Sequence, residues 1–362
     1  MLRDFPDEIQ DFIASCKKLT VISTNSKGGN CYLVFAKDEI LDRKIAMKFI
    51  DGDYKKIAEE PNVLSNLNHE NIITIFDAKL LSDNLLYYKT PIAEQGDLED
   101  FMQRNDISIK EALSITHNIL NGLNQLHKAP GILLHRDIKP ANILMDKNIP
   151  KISDLGSIKK IDSDKGYSDV SEMTLFYKTP ESLNNRHYIK SDIYQVGIIL
   201  FQLLGGKINF TVEDYLNKKQ LAISRSINDS YEKSKFEDDI ILNKISKGKI
   251  LNTNTLPLYL PKKVKRILLQ ATNHRFSKRY SSVTEMMYDI TNCINEVPDW
   301  KTVSKRIYLQ NFKDKTYKIG KQKDYYYVFQ RTQLSSKWRK IKESKSEELF
   351  HCIKFLRKRL KI

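Results

Sequence analysis

The sequence predicts an α+β protein built in three stretches, on three observations. Residues 1–90 mix short β-rich runs with one helical stretch, residues 98–296 are mostly helical in pattern, and residues 297–362 return to strand-like runs closed by a helix. With 362 residues, a hydrophobic fraction of 41% and a charged fraction of 29%, the chain can fill a core and is too apolar to be disordered.

The runs Leu19–Ser23, Cys31–Ala36 and Lys44–Ile50 read as strands, and 54–67 as a helix. Pro61 lies inside that helix, so the helix is expected to start late or to kink. In 110–127, Ala112, Ile115, Ile119, Leu123 and Leu126 recur at helical spacing and mark an apolar face. A strongly apolar helix follows at 191–204, then a polar, weakly periodic surface region at 206–255, and helix again at 261–294. Composition shifts near Pro298–Trp300, where a domain boundary is expected between 1–296 (divided near residue 92) and 297–362. Beyond it, 307–312, 316–319, 325–331 and 338–341 read as strands, with Tyr325, Tyr327 and Phe329 on one face. Ser344 with Glu347 reads as a capping box, opening a helix striped by Leu349, Ile353, Leu356 and Leu360.

Charge is unevenly spread. Residues 301–362 hold 19 of the 60 basic and 5 of the 45 acidic side chains, an excess of 14, whereas the first 300 residues are nearly balanced. Interleaved with Tyr308, Tyr317, Tyr325 to Tyr327, Phe329 and Trp338, these cations suit nucleic acid or an acidic partner, or serve solubility alone. The longest apolar run, 196–204, is far short of the roughly 20 residues a membrane span needs. Four scattered cysteines without a CxxC suggest reduced thiols, and the first ten residues lack a leader pattern, so a cytoplasmic location without membrane insertion is expected. The histidines other than His135 read as ordinary solvated or core residues.

The chemistry concentrates at residues 135–144, HRDIKPANIL. Asp137 can accept a proton from an incoming hydroxyl, and Asn142 offers an amide oxygen to a metal, which are needs of phosphoryl transfer. On this string the chain resembles the eukaryotic-type serine/threonine protein kinase superfamily over roughly residues 15–295. The resemblance implies a bilobal protein-kinase fold, with a β-rich N-lobe, a helical C-lobe and here a small C-terminal β-sheet-and-helix domain. It also implies ATP held between the lobes, Mg2+ (or Mn2+), and protein substrates.

Residue by residue, the resemblance makes Asp137 the base and places Lys139 against the transferring phosphate, which favours serine or threonine acceptors. Asn142 and Asp154, the latter in the turn Ser153–Asp154–Leu155–Gly156, would hold the metal. Lys48, ending Ile45–Ala46–Met47, would contact the α- and β-phosphates and pair with Glu60. The phosphate-covering loop is eroded: Ser26, Lys27, Gly28, Gly29 and Leu33 fit its spacing with only the central Gly28 retained. Ala46, Leu33 and Leu144 would enclose adenine, with Thr90 behind. Glu181 and Arg279 would form a buried bridge, and Asp192 would brace the catalytic loop. Arg136 would bind a phosphate on the activation segment 154–181, where Thr174 would position the substrate hydroxyl and Ser168 or Ser171 would be autophosphorylated. Two alternatives stay open: a pseudokinase scaffold, suggested by the eroded loop and Pro61, and a nucleic-acid-binding protein regulated by its kinase domain.

Overall fold

The computed structural model describes residues 2–26, 31–170 and 174–362. They form two compact units, one from Met1–Leu98 with Ala141–Ile158 and the other from Glu99–Pro140 with Lys159–Ile362.

In the first unit, five antiparallel strands, Leu19–Ser26, Cys31–Asp38, Arg43–Asp51, Asp77–Ser82 and Leu85–Pro91, form a sheet in the order first, second, third, fifth, fourth. The register sets Leu33 opposite Lys48, Ala46 opposite Thr90 and Lys48 opposite Tyr88, so these side chains share one face. On the other face Val34, Ala36, Ile45, Met47, Phe49 and Tyr87 are buried with Phe5, Ile9 and Ile13. The helix Asp7–Ser15 that carries Ile9 and Ile13 was not expected. At nine residues it is too short to be stable alone and forms because this apolar face needs a cover; Phe12 meets Tyr87 at 4.8 Å between ring centroids.

The expected helix over 54–67 is broken at Ala58 into Tyr54–Ile57 and Glu59–Ser65. Pro61 is the third residue of the second piece, where a backbone N–H has no intrahelical acceptor to lose. Residues 141–158 add a hairpin, Ile143–Asp146 with Ile149–Ile152, turned by Lys147 and Asn148 at φ 50° and 64°. Asn71 Nδ2 donates to the Pro150 carbonyl at 3.1 Å and ties the hairpin to the same unit.

The second unit is mainly helical before its own sheet. Ser108 and Glu111 close a capping box on the helix Ile109–Lys128, whose expected apolar stripe is buried throughout. The helix Ile189–Leu203 is buried on nearly every side, which is why it reads as apolar without a face. The 206–255 region contains two helices that its weak periodicity hid, Lys218–Ser226 and Ser230–Ser246. They start on side-chain caps from Asn217 and Asp229 and bury only Ser224, Ile241 and Ile245, so few positions had to be apolar. The 261–294 stretch is likewise two helices, Lys262–Ala271 and Val283–Glu296.

The C-terminal sheet has five antiparallel strands in sequential order: Asp299–Val303, Arg306–Phe312, Lys315–Gln322, Tyr325–Thr332 and Arg339–Ser346. The first was missed because it lies where composition shifts. Ser344 is not a helix cap: it sits in the last strand, its Oγ accepting from the Val328 N–H at 2.8 Å and donating to the Ile341 carbonyl at 2.6 Å across a break in register. The helix begins at Leu349 and packs Cys352, Ile353 and Leu356 against the last three strands.

Inside the second unit this sheet is joined to the helices. Trp300 is 1% exposed and stacks on Tyr259 at 5.7 Å, the Tyr259 hydroxyl lies 2.8 Å from Thr302 Oγ1, and Asp299 accepts from the Lys110 N–H at 3.0 Å in the first turn of Ile109–Lys128.

Candidate active site

Lys48 stands on the third strand, partly buried between the buried Glu60 and Tyr88. Its ammonium donates to Glu60 Oε2 at 2.8 Å and Oε1 at 3.1 Å, and to Asp154 Oδ1 at 2.9 Å. Burial opposes the charge, but the Glu60 carboxylate overrides it and holds the Lys48 pKa well above its ordinary value. Glu60 is 2% exposed and is anchored further by the Tyr88 hydroxyl at 2.7 Å and the Leu155 N–H at 2.9 Å. Burial and the Glu60 charge push Tyr88 well above the usual phenol range, keeping it a neutral donor. Asp154 adopts φ 56°, a left-handed conformation that turns the chain, and its side chain is 48% exposed.

The same unit carries Asn142, whose carbonyl accepts from Ser153 Oγ at 3.0 Å. Leu33, Ala46 and Thr90 lie on the Lys48 face, and Leu144 is half-buried on the hairpin. Lys27, Gly28 and Gly29 lie outside the described residues, and Ser26 is described only as the last residue of its strand.

In the second unit, Asp137 is 8% exposed and accepts from Lys139 Nζ at 2.8 Å, while Lys139 also donates to Thr174 Oγ1 at 3.0 Å. A carboxylate, a cation and a hydroxyl thus meet at one point. The backbone around Asp137 is clamped from the helix Ile189–Leu203. Asp192 Oδ1 accepts from the Arg136 N–H at 3.0 Å and Oδ2 from the His135 N–H at 3.1 Å. One turn on, Gln195 Oε1 accepts from the Ile138 N–H at 3.0 Å, and its Nε2 donates to the Arg136 carbonyl at 3.3 Å. Arg136 itself sits at φ 72°, a conformation that these four bonds enforce.

The family model for the protein kinase domain matches residues 27–291. The chain belongs to the protein kinase family. The similar proteins include the serine/threonine-protein kinase PrkC of Bacillus subtilis, 32% identical over 206 residues, 51% of this chain and 30% of that protein. A probable serine/threonine-protein kinase, PknB of Lactococcus lactis, is 26% identical over 283 residues, 75% of this chain and 41% of that protein. Mitogen-activated protein kinase 4 of Rattus norvegicus is 29% identical over 217 residues, 54% of this chain and 78% of that protein. The chain spans less than half the length of the first of these relatives. The five-stranded sheet of residues 19–91 is the N-lobe sheet of the kinase domain, and the second five-stranded sheet follows the domain.

The kinase domain is braced by residues that sequence reasoning passed over. His127 and His187, expected to be ordinary, lie 2.8 Å by their Nε2 atoms from the two Asp192 oxygens and are buried. Burial alone would raise the Asp192 pKa, but these imidazole contacts hold it well below the usual carboxylate range. A signal for Gln195 was present: it lies three residues after Asp192 and interrupts the apolar run 193–201. Tyr88, as a partner for Glu60, left no local signal.

Glu181 and Arg279 form a bidentate pair at 2.7 and 2.8 Å, with Arg279 Nε on the Asn273 carbonyl at 2.6 Å and Ser191 also bonded to Glu181. On the activation segment, Arg136 Nη1 donates to the Asp169 carbonyl at 2.7 Å. Ser168 is 3% exposed and its backbone pairs with that of His187, so its hydroxyl is shielded from an incoming kinase in this conformation. Ser171 lies outside the described residues. Among the described residues no helix is long and apolar enough to cross a membrane.

Proposed function

We propose that the protein transfers the γ-phosphoryl group of ATP to serine or threonine hydroxyls of proteins. The observation that carries this reading is Lys48, held charged by Glu60 and at the same time bonded to Asp154. That ammonium is ready to meet phosphate oxygens beside the carboxylate that would hold a cation. Asp154 and Asn142 supply a carboxylate and an amide oxygen, hard donors that suit Mg2+ or Mn2+ with substrate phosphates completing the coordination. ATP with its divalent cation supplies the transferable group and neutralises charge as the phosphoryl moves. Leu33, Ala46 and Leu144 offer apolar contact to adenine beside Thr90.

Asp137 takes the proton of the acceptor hydroxyl onto its carboxylate, and Thr174 with Lys139 holds that hydroxyl and the charge developing beside it. Lys139 at this point, together with relatives named as serine/threonine-protein kinases, supports serine and threonine as acceptors. Autophosphorylation on the activation segment stays proposed at Ser168 or Ser171, and at Ser168, 3% exposed, it would require the segment to move first.

The test is incorporation of labelled phosphate from ATP with magnesium into the protein and into a generic protein acceptor. Asp137→Ala and Lys48→Met should each lower incorporation by about 100-fold or more. No incorporation by the unmodified protein would instead favour a scaffold.

A further inference from the structure

The C-terminal sheet has one face packed on the helix Leu349–Leu360 and another that no element of its own covers. On that second face the strand register builds a row across all five strands. Lys301 stands opposite Tyr308, Tyr308 opposite Lys318, Lys318 opposite Phe329, and Phe329 opposite Lys340. Directly opposed residues of antiparallel strands point to the same side, so cations and rings alternate across the sheet.

The neighbouring rows repeat the pattern. Lys340 lies 4.4 Å from the centroid of Tyr327, and Arg331 and Lys318 lie 4.7 and 4.3 Å from that of Trp338. Gly320, opposite Tyr327, leaves room for the stem of Arg306, which would lie 3.9 Å from a Cβ placed there.

Lys301, at the end of the row, pairs with Glu111 at 3.6 Å, whereas the other cations named lack acidic partners among the described residues. The ion pairs formed by residues 297–362 are Lys301 with Glu111 and His351 with Glu348, so among the described residues no carboxylate pairs with Arg306, Lys318, Arg331 or Lys340. Burial first, and after it the like charges of Arg306 and Arg331, lower the Lys318 pKa. Such a cluster is relieved by an outside anion.

We propose that this face binds single-stranded nucleic acid, with Tyr308, Phe329 and Trp338 stacking on bases and Arg306, Lys318 and Arg331 meeting the phosphates between them. Several features select this partner. An acidic protein would use the cations but gains nothing from the rings between them: Tyr308 and Phe329, two strands apart, stand about 10 Å from each other with Lys318 midway, and Trp338 meets the edge of Tyr308 at 6.2 Å between centroids. A membrane would favour protruding apolar side chains, whereas these rings are half-buried. Duplexes are disfavoured because a flat sheet face cannot stack on paired bases.

The experiment is fluorescence anisotropy of the whole 362-residue chain with a labelled oligouridine or oligothymidine of about 20 nucleotides, magnesium-ATP being in excess so that the nucleotide site cannot hold the probe. Affinity should fall about tenfold between roughly 50 and roughly 200 mM salt. Phe329→Ala and Trp338→Ala should each weaken it about tenfold while Phe329→Tyr retains it, and Lys318→Gln should flatten the salt dependence. Unfolding temperatures run alongside separate lost binding from lost structure, and Phe329→Tyr keeps the test decisive if an alanine variant fails to fold. Three results would overturn the proposal: no binding at low salt, equal affinity for polyglutamate with indifference to Phe329→Ala, or binding confined to anionic vesicles.

Discussion

Two sets of basic side chains in this molecule are treated in opposite ways. In the kinase domain Lys48, Lys139 and Arg279 each have a carboxylate within 3 Å, and their charges are settled inside the fold. On the C-terminal sheet Lys318 and Arg331 have aromatic rings and each other. The first arrangement fixes geometry before any substrate arrives. The second leaves charge unsettled, which costs some stability and leaves attraction for something outside.

The largest break in that comparison is Arg279→Ala. It strands the Glu181 carboxylate, whose pKa burial would raise and Arg279 now lowers, and should cost about 3–5 kcal/mol in urea unfolding. A loss below about 1 kcal/mol would mean that the pair is not settled internally.

A pH series sharpens the comparison next. Glu181 and Asp192 have folded pKa values below their ordinary ones, so their stabilisation is complete above about pH 5 and drains as pH falls through about 4, where the unfolded chain binds protons first. Lys48 has the reverse sign: its contribution is complete below about pH 10 and is lost above it as the ammonium deprotonates. Urea midpoints should therefore form a plateau between these limits. A midpoint already falling between about pH 7 and about pH 5 would contradict the carboxylate assignment.

The smallest effect belongs to the sheet. Lys318 has a lowered folded pKa, so at neutral pH its protonated form is disfavoured by folding, and removing the charge relieves it. Lys318→Gln should leave thermal unfolding unchanged or raise stability by up to about 0.5 kcal/mol. Destabilisation by more than about 1 kcal/mol would show a structural role for that lysine instead.

The site was legible where chemistry demands particular residue types at short, fixed spacing. Asp137, Lys139 and Asn142 lie within six residues, and Lys139 is bonded to Asp137 in the fold. Longer-range expectations, Lys48 with Glu60 and Glu181 with Arg279, came through resemblance to a family and are realised as bonds. What escaped were partners whose only reason to be there is another segment. The helix Asp7–Ser15 is called into being by the apolar face of a sheet, and the strand Asp299–Val303 by its neighbour and by Tyr259. Ser344 has the letters of a helix cap but satisfies a strand irregularity.

The sequence by itself determined the catalytic loop, the periodic helices and the imbalance of charge, because each is a local pattern whose cause lies within a turn or two of chain. Only the tertiary structure decided that His127 and His187 flank Asp192, that Tyr88 holds Glu60, and that lysines and rings of five separate strands fall into one row. Those outcomes depend on register and burial, where a buried polar group must find a partner wherever the fold brings one and a shift of one residue would send a strand's side chains to the other face.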